Sequence, residues 1–411
     1  MMLRTELRRG IGPWSGAAVA VTVLVALYGK APGWQGRWSD ATDMLHTAAG
    51  LLAGPLAAAA GCWQGGRERR RSTGELLASA PRGRLARTLV AAAPAALWPA
   101  AGLLLAVAVC LGATWPYAGG GRPFVSVTAA DAVAVAALGT LGFVAGRLVP
   151  WRLTPPLVAA ATYVGLGLPS YTASPARWLS PAADRSTAWQ EPLWWFAPAM
   201  TVWTGGLALA ALLAYGARRR ALALVPLAAA CAVAVPVVRL DGSAGPWRPD
   251  PDAARLVCDD GTPRVCLSAV DRALLPEASR ALAGLNARLR GVPGAPARWV
   301  SGPHEPGPGE APLPDPVAAA AHGVLQDPRQ YAHDAASGLF DGACLSGEDG
   351  IVLDLAVQEW LAPAPPGSGV DPAALQPFLD RLRAGSPAQQ RAFLGRYLTT
   401  DLCEAAEVPL P

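Results

Sequence analysis

The stretch TLVAAAPAALWPAAGLLLAVAVCLGA, residues 88–113, has 26 residues and no formal charge. In water such a run would need a very large core to cover it. In a bilayer it has the length that a helix needs to cross roughly 30 Å of hydrocarbon. Similar runs recur, and the candidate spans are residues 11–29, 44–63, 88–113, 126–149, 155–176, 193–216 and 221–239. The sequence predicts a polytopic α-helical membrane protein with six to seven transmembrane helices.

The candidate span 155–176 has the weakest pattern of the set. Its most apolar part, PPLVAAATYVGLGLP, covers only 15 residues and contains three prolines. A helix of that length falls short of the roughly 20 residues that a full crossing needs. The pattern therefore leaves two structures open, a complete span or a short helix followed by a half-inserted loop.

Positive charge is distributed unevenly between the short segments that join the spans. Alternate segments, beginning with residues 1–10, contain 15 arginines, whereas the intervening loops contain five lysines or arginines. Because short cytoplasmic loops are enriched in Lys and Arg, residues 1–10 are predicted to be cytoplasmic and the chain after Arg239 extracytoplasmic. A cleaved signal peptide is the alternative to the first span, but the boundary LYGKAPG lacks the small-residue pattern of a cleavage site. The 33 arginines against one lysine indicate a high-G+C bacterial genome, and hence a bacterial plasma membrane.

The last 170 residues differ in character from the first 240. Residues 1–240 carry a net charge of +13 and residues 241–411 a net charge of −9. The basic half is explained by membrane topology, so no nucleic-acid partner is implied. We expect a transmembrane domain over 1–240, a linker over 241–253 and an extracytoplasmic α+β domain over 254–411. In that domain the patterns predict a hairpin around DDGTPR and helices over 270–290, 317–326, 351–362, 372–384 and 387–407.

Cysteine usage agrees with this map. Cys62, Cys110 and Cys231 lie in predicted spans, where a thiol behaves as a small apolar group. The other four are confined to the predicted extracytoplasmic domain: Cys258, Cys266, Cys344 and Cys403. An even set in an oxidising compartment predicts two disulfides, of which Cys258–Cys266 would close the hairpin and leave Cys344 for Cys403. A zinc site is the alternative, but no C-x-x-C occurs and no metal site is predicted.

The predicted cytoplasmic loop RERRRSTGELLASAPRGRLAR, residues 67–87, has internal order that topology alone does not explain. Ser72 followed three residues later by Glu75 forms a capping box, and Pro81 ends the helix that begins there. The segment TGELLASA would form two helical turns, about 12 Å long. Such a helix carries Leu76 and Leu77 into the cytosol, which is typical of a surface that docks into the groove of a soluble partner.

This loop resembles the first cytoplasmic loop of type-2 ABC exporter permeases, whose signature reads "RE…GT.E.LL..sP". The matching positions are Arg67, Glu68, Ser72, Thr73, Gly74, Glu75, Leu76, Leu77, Ser79 and Pro81, with the order of Thr and Gly exchanged. The resemblance covers residues 1–216. It implies that residues 73–80 are a coupling helix that docks into a separate ABC ATPase subunit, and that two permease protomers, identical or different, line a path through the bilayer.

The chain itself lacks the residues for nucleotide hydrolysis. A P-loop needs Gly-Lys followed by Ser or Thr. Lys30 is the only lysine and is followed by alanine. ATP hydrolysis is therefore expected on another polypeptide, and neither a catalytic residue nor a cofactor is predicted here. The alternative function is a non-transport membrane protein that displays an extracytoplasmic sensor, binding or immunity domain; an ectoenzyme is a third hypothesis.

Asp131 is the one acid at membrane depth within the predicted spans. It is a candidate intramembrane contact to a substrate or ion, since ionisable groups inside the bilayer are commonly functional. The alternative is a helix N-cap, a position that favours Asp, with the helix beginning at Ala132. His46 lies near the outer end of the second span and is interpreted as an interfacial polar group.

Overall fold

The computed structural model describes Leu7 and residues 10–70, 83–172, 174–183, 188–240, 245–340, 347–366, 372–400 and 408–411. Side chains are described at all of these positions except 347–350 and 372. The chain forms two compact units. Unit 1 comprises Met1–Trp34, Trp38–Pro116 and Arg122–Pro249, and unit 2 comprises Gln35–Arg37, Tyr117–Gly121 and Asp250–Pro411.

Unit 1 is built mainly from apolar helices. They are α1 (Gly12–Tyr28), α2 (Trp38–Ala48), α3 (Gly54–Gly65), the short α4 (Arg67–Arg70), α5 (Arg84–Thr114), α6 (Val125–Leu148), α7 (Thr154–Gly167), α8 (Phe196–Gly216) and α9 (Leu224–Val238). A π-helical turn, Ala49–Ala53, joins α2 to α3 without a break. Two short strands, β1 (Gln190–Pro192) and β2 (Trp247–Pro249), pair antiparallel.

Of the six to seven spans predicted, five helical segments of unit 1 are, within the described residues, long and apolar enough to cross a membrane, in agreement with the predicted membrane class. They are Trp38–Gly65, Arg84–Thr114, Val125–Leu148, Phe196–Gly216 and Arg220–Val238. Helix α1 is shorter, with 17 residues. Large apolar side chains on the outside, such as Val25, Leu105 and Val225, are more than half exposed. Surfaces of this kind are typical of contact with lipid.

The predicted span 155–176 is not a continuous helix. Helix α7 has 14 residues and ends at Gly167, and a 3₁₀ turn, Leu168–Tyr171, continues from it. Pro169 has no amide hydrogen to continue the α-helical ladder, which explains the break. Next to this break, the carbonyl of Leu166 accepts a hydrogen bond from Ser180 Oγ at 2.7 Å. At 1.5 Å per residue followed by 2.0 Å per residue, the two pieces together rise about 29 Å.

Glycines allow α3 and α6 to pack backbone against backbone. Gly61 and Gly65 of α3 contact the main chain of α6, and Gly142 and Gly146 of α6 contact the main chain of α3. A Cβ added at Gly142 would overlap the carbonyl group of Ala58. Because lipid tails are as apolar as the side chains, close packing between small residues is a main source of helix association in membranes.

Unit 2 contains a four-stranded mixed sheet in the order β3 (Leu256–Cys258), β4 (Arg264–Ser268), β5 (Arg298–Val300) and β6 (Glu310–Pro312). Strands β3 and β4 pair antiparallel, and β5 runs parallel to both β4 and β6. Its helices are α10 (Pro251–Ala254), α11 (Leu275–Leu289), α12 (Pro328–Ser337), α13 (Gly347–Leu361), α14 (Pro372–Ala384) and α15 (Pro387–Thr399). The predicted α+β composition is therefore present.

The core of unit 2 forms where α11 packs on the sheet. Leu282, Leu285 and Trp299 are almost completely buried. The indole Nε1 of Trp299 donates to Asn286 Oδ1 at 2.8 Å, so the one polar atom of this ring is satisfied inside the core. The predicted Cys258–Cys266 disulfide is confirmed and joins directly opposed residues of β3 and β4. Cys344 and Cys403 lie outside the described residues.

The predicted helix over 317–326 is wrong. Its place is taken by a small hairpin of β7 (Ala320–Ala321) and β8 (Val324–Leu325). His322 and Gly323 form the two-residue turn, with φ of 53° and 75°. Two consecutive positive φ values are the geometry of a type I′ hairpin turn and are incompatible with a right-handed helix.

Unit 2 also includes an arginine from the short segment between α1 and α2. Arg37 is only 4% exposed and forms bidentate ion pairs with Asp271 and Asp315, with shortest distances of 2.6 Å to each. Ser268 Oγ donates to the second oxygen of Asp271 at 2.5 Å. Burial lowers the pKa of Arg37, but hydrogen bonds and negative charge from the two aspartates more than offset this and raise it above its ordinary value.

Candidate functional site

The residues that the family resemblance assigns to ATPase coupling lie outside the described part of the chain. They are Ser72, Thr73, Gly74, Glu75, Leu76, Leu77 and Pro81. Their role stays a prediction. The structure describes the two ends of the loop that carries them, α4 on one side and the start of α5 on the other.

Both ends of this loop are held at the arginine-rich end of unit 1. Glu68 of α4 forms a bidentate ion pair with Arg147 at the end of α6. Arg70 lies over the ring of Trp63, 4.2 Å from its centroid. Arg84, the first residue of α5, donates to the carbonyl of Tyr215 at 2.9 Å. The loop 67–87 therefore leaves and re-enters the helices at fixed positions, among the carboxyl-terminal ends of α3, α6 and α8.

Asp131 is not a helix N-cap. Helix α6 begins at Val125, six residues earlier, so Asp131 lies in its second turn and is 4% exposed. Its Oδ1 lies 2.7 Å from Nδ1 of His46, which is 9% exposed. His46 is thus part of a buried polar pair rather than an isolated interfacial group. Asp131 Oδ2 is buried and has no hydrogen-bond partner among the described residues.

The π-helical turn in the second helical segment places His46. One wide turn, Ala49–Ala53, separates α2 from α3, and Pro55 follows immediately. Proline cannot donate to the carbonyl four residues earlier, so the backbone widens here. A π turn inserts an extra residue and rotates what lies before it relative to what lies after it. The segment can therefore present His46 to Asp131 while Gly61 and Gly65 pack on α6.

The His46–Asp131 pair forms one wall of a cavity within unit 1, which we call the dyad cavity. The cavity is narrow, with a volume of about 20 Å³, close to the space that one water molecule needs. Most of its wall is apolar or aromatic, including Val127, Trp178, Phe196, Met200 and Trp247. Trp178 Nε1 is buried and has no hydrogen-bond partner among the described residues. The cavity therefore combines one carboxyl group with aromatic surface.

A second, larger cavity adjoins the first and is called the apolar cavity. It lies between α6, α7 and α8 and has a volume of about 290 Å³. Ser180, Pro181 and Thr204 line both cavities. The two hydroxyl groups are already satisfied, because Ser180 Oγ donates to Leu166 and Thr204 Oγ1 to Met200 at 2.8 Å. The remaining wall is formed by side chains such as Leu138, Leu166, Trp203 and Leu207.

The sequence singled out Asp131 and His46 separately, but it did not indicate that they pair or which other residues line the site. Trp178, Phe196 and Trp247 come from three distant segments that only the fold brings together. Gly245 is the kind of residue that could have indicated a close approach between the backbone and an aromatic ring. Its φ is +57°, and a Cβ there would overlap the ring of Trp178. Within the described residues, no three His, Cys, Asp or Glu side chains are grouped closely enough to hold a metal ion.

The arrangement can recognise a cation or a hydrogen-bond donor in an apolar setting, because a buried carboxylate is stable only when it is paired.

Comparison of this chain with family models, with curated proteins and with solved structures gives no match. The chemistry of the two cavities and the loop 67–87 are therefore the features on which a functional hypothesis must rest.

Proposed function

We propose that this chain is the membrane-spanning subunit of an ATP-binding-cassette exporter in a bacterial plasma membrane, driven by a separate ATPase. Two such protomers, identical or different, would form the path. The observation that carries the proposal is the sequence of the loop 67–87, which resembles a permease coupling loop, together with the anchoring of its two described ends to α6 and α8.

Helix α6 offers a route by which movement of that loop could reach the dyad cavity. Arg147 near its end binds Glu68 at the start of the loop, and Asp131 lies 16 residues earlier on the same helix. That separation is about 24 Å along a helix. A displacement of α4 by a docked ATPase would therefore be transmitted by one continuous element to the residues around Asp131.

The coupling residues can be tested by replacing the apolar tip of the predicted coupling helix. Leu76→Asp combined with Leu77→Asp should abolish co-purification of the ATPase and stop transport, because two charges cannot enter an apolar groove without a large desolvation cost. The measurement is a pull-down of the tagged permease from native membranes, with mass spectrometry to identify the ATPase.

Ala78→Asp is the matched control, since it adds charge to the same loop on the opposite face of the predicted helix. It should leave the ATPase bound. Retention of the ATPase by the double leucine variant would contradict the proposed docking role. If no ATPase is recovered even from the natural chain, the display of an extracytoplasmic domain becomes the better hypothesis.

Topology is a second test of the proposal. Arginine-rich segments meet at one end of unit 1, and the positive-inside rule assigns that end to the cytoplasm. A fluorescent reporter that matures only in the cytosol should be bright when inserted after Arg70 and dark when fused after Pro411. Alkaline phosphatase, which needs an oxidising compartment, should give the reverse pattern. A bright cytosolic reporter at Pro411 would contradict the assignment of unit 2 to the extracytoplasmic side.

A further inference from the structure

We propose that the dyad cavity and the apolar cavity together bind an amphiphile with a protonated amine as its head group and a long alkyl chain. The amine of the ligand would reach Asp131 Oδ2, and its alkyl chain would lie between α6, α7 and α8. This inference needs only unit 1, so it stands or fails independently of whether an ATPase binds the chain.

Asp131 defines the head group. Its Oδ1 is satisfied by His46, but its Oδ2 is buried with no hydrogen-bond partner among the described residues. Buried acceptors are nearly always satisfied, so a missing donor points to a ligand or a water molecule. Of the possible donors, an ammonium group fits best, because a hydrogen bond from a cation to a carboxylate oxygen is stronger than a neutral one.

The aromatic wall of the dyad cavity strengthens the choice of an amine. Trp178, Phe196 and Trp247 all line it. The faces of aromatic rings attract ammonium groups, and indole does so most strongly. An alkyl carboxylate would be repelled by Asp131, and an alcohol would supply a donor without the charge. A bare metal ion would find only one carboxylate.

The apolar cavity indicates the alkyl chain of the ligand. It adjoins the dyad cavity at Ser180, Pro181 and Thr204, and the hydroxyl groups of Ser180 and Thr204 already have partners within the protein. Among the described side chains that line it, no buried polar atom lacks a hydrogen-bond partner, and the cavity has a volume of about 290 Å³. A hydrocarbon chain therefore fills it without leaving polar groups unpaired.

The test uses the purified full chain in phosphatidylcholine nanodiscs and measures equilibrium binding of dodecylamine and dodecanol, with empty nanodiscs subtracted. Because the two head groups partition into lipid to different extents, each ligand is corrected with empty nanodiscs of the same composition. The natural chain should bind the amine about 10–100-fold more tightly than the alcohol, the range expected for a charged hydrogen bond. Asp131→Asn should remove this preference, and Glu191→Gln, a carboxylate outside both cavities, should retain it. Equal affinities in the natural chain, or a preference that survives Asp131→Asn, would overturn the amine assignment.

A second pair of variants tests the binding site of the alkyl chain and leaves His46 and Asp131 unchanged. Gly165 lines the apolar cavity, and nothing lies within 4 Å of a Cβ built there. Gly165→Leu should fill the space without a clash and weaken both dodecyl ligands by at least about tenfold, since each buried methylene contributes a factor of three to four. Hexylamine binding should be unaffected. Gly112→Leu, also unobstructed but remote from the cavity, is the control. Unchanged binding of both dodecyl ligands to Gly165→Leu would contradict the placement of the alkyl chain in the apolar cavity.

Native mass spectrometry of the purified chain identifies the source of the ligand. An aminophospholipid that co-purifies with the natural chain and is lost from Asp131→Asn would assign the site to a bilayer lipid. Binding of dodecylamine without a retained lipid would assign it to a free amphiphile. Occupation by water alone would appear as the absence of both and would overturn the proposal.

Discussion

Gly142→Val is expected to prevent unit 1 from assembling, with a loss of more than about 3 kcal/mol in the free energy of unfolding. A Cβ at this position overlaps the carbonyl of Ala58, and a backbone atom cannot rotate away as a side chain can. The variant would have to separate α3 from α6 along their closest contact. The measurement is thermal unfolding in mild detergent, together with the size-exclusion profile.

Gly112→Ala is the matched control for that result. Gly112 is also helical, but a Cβ there meets nothing within 4 Å. Alanine favours a helix over glycine by up to about 1 kcal/mol, so this variant should unfold at the natural temperature or slightly above it. If Gly142→Val unfolded at the same temperature as the natural chain, the close packing of α3 on α6 would be contradicted.

Arg37→Met is expected to destabilise unit 2 by about 3–5 kcal/mol. The substitution leaves Asp271, which is fully buried as a side chain, without its cationic partner. Burial of an unpaired carboxylate costs far more than the ion pair itself contributes. Hydrogen exchange is the appropriate measurement, because it reports local opening in a large membrane protein. The amides of β4 and α11 should exchange about 100-fold to 5,000-fold faster.

Two further substitutions separate charge from geometry in this prediction. Arg37→Lys keeps the charge but cannot reproduce two bidentate contacts, so an intermediate loss is expected. Arg248→Met removes an exposed ion pair with Glu191, in which the arginine side chain is 53% exposed, and should cost less than about 1 kcal/mol. Equal exchange rates in Arg37→Met and Arg248→Met would show that the buried pairs do not stabilise unit 2.

Local patterns in the sequence predicted the features that depend on nearby residues. Uncharged runs marked the apolar helices, and the spacing of Cys258 and Cys266 marked the hairpin. Features that depend on tertiary structure were predicted poorly. Asp131 could be interpreted as an N-cap because the actual N-cap position of α6, Phe124, has no capping side chain. Residues 317–326 look helical by composition, yet His322 and Gly323 adopt a turn that composition does not reveal.

The two cavities could not be predicted from short-range sequence patterns either. Their walls combine residues near positions 46, 131, 178, 200 and 247, and no short-range pattern relates these positions. Pro169 and Pro55 were visible in the sequence, but their effects, a 3₁₀ continuation and a π turn, depend on which carbonyls find other partners. Backbone breaks beside apolar cavities are therefore best identified from the folded chain.

The composition of unit 2 has a consequence for synthesis on the ribosome. Gln35–Arg37 and Tyr117–Gly121 emerge early, whereas Asp315, one of the two acids that bind Arg37, follows it by 278 residues. At usual translation rates that interval lasts roughly 15–55 s. During this time Arg37 must remain solvated, and a chain that stalls before Asp271 leaves it with neither partner. Unit 2 can therefore form completely only after both its early and its late segments have been synthesised, and a truncated chain cannot complete it.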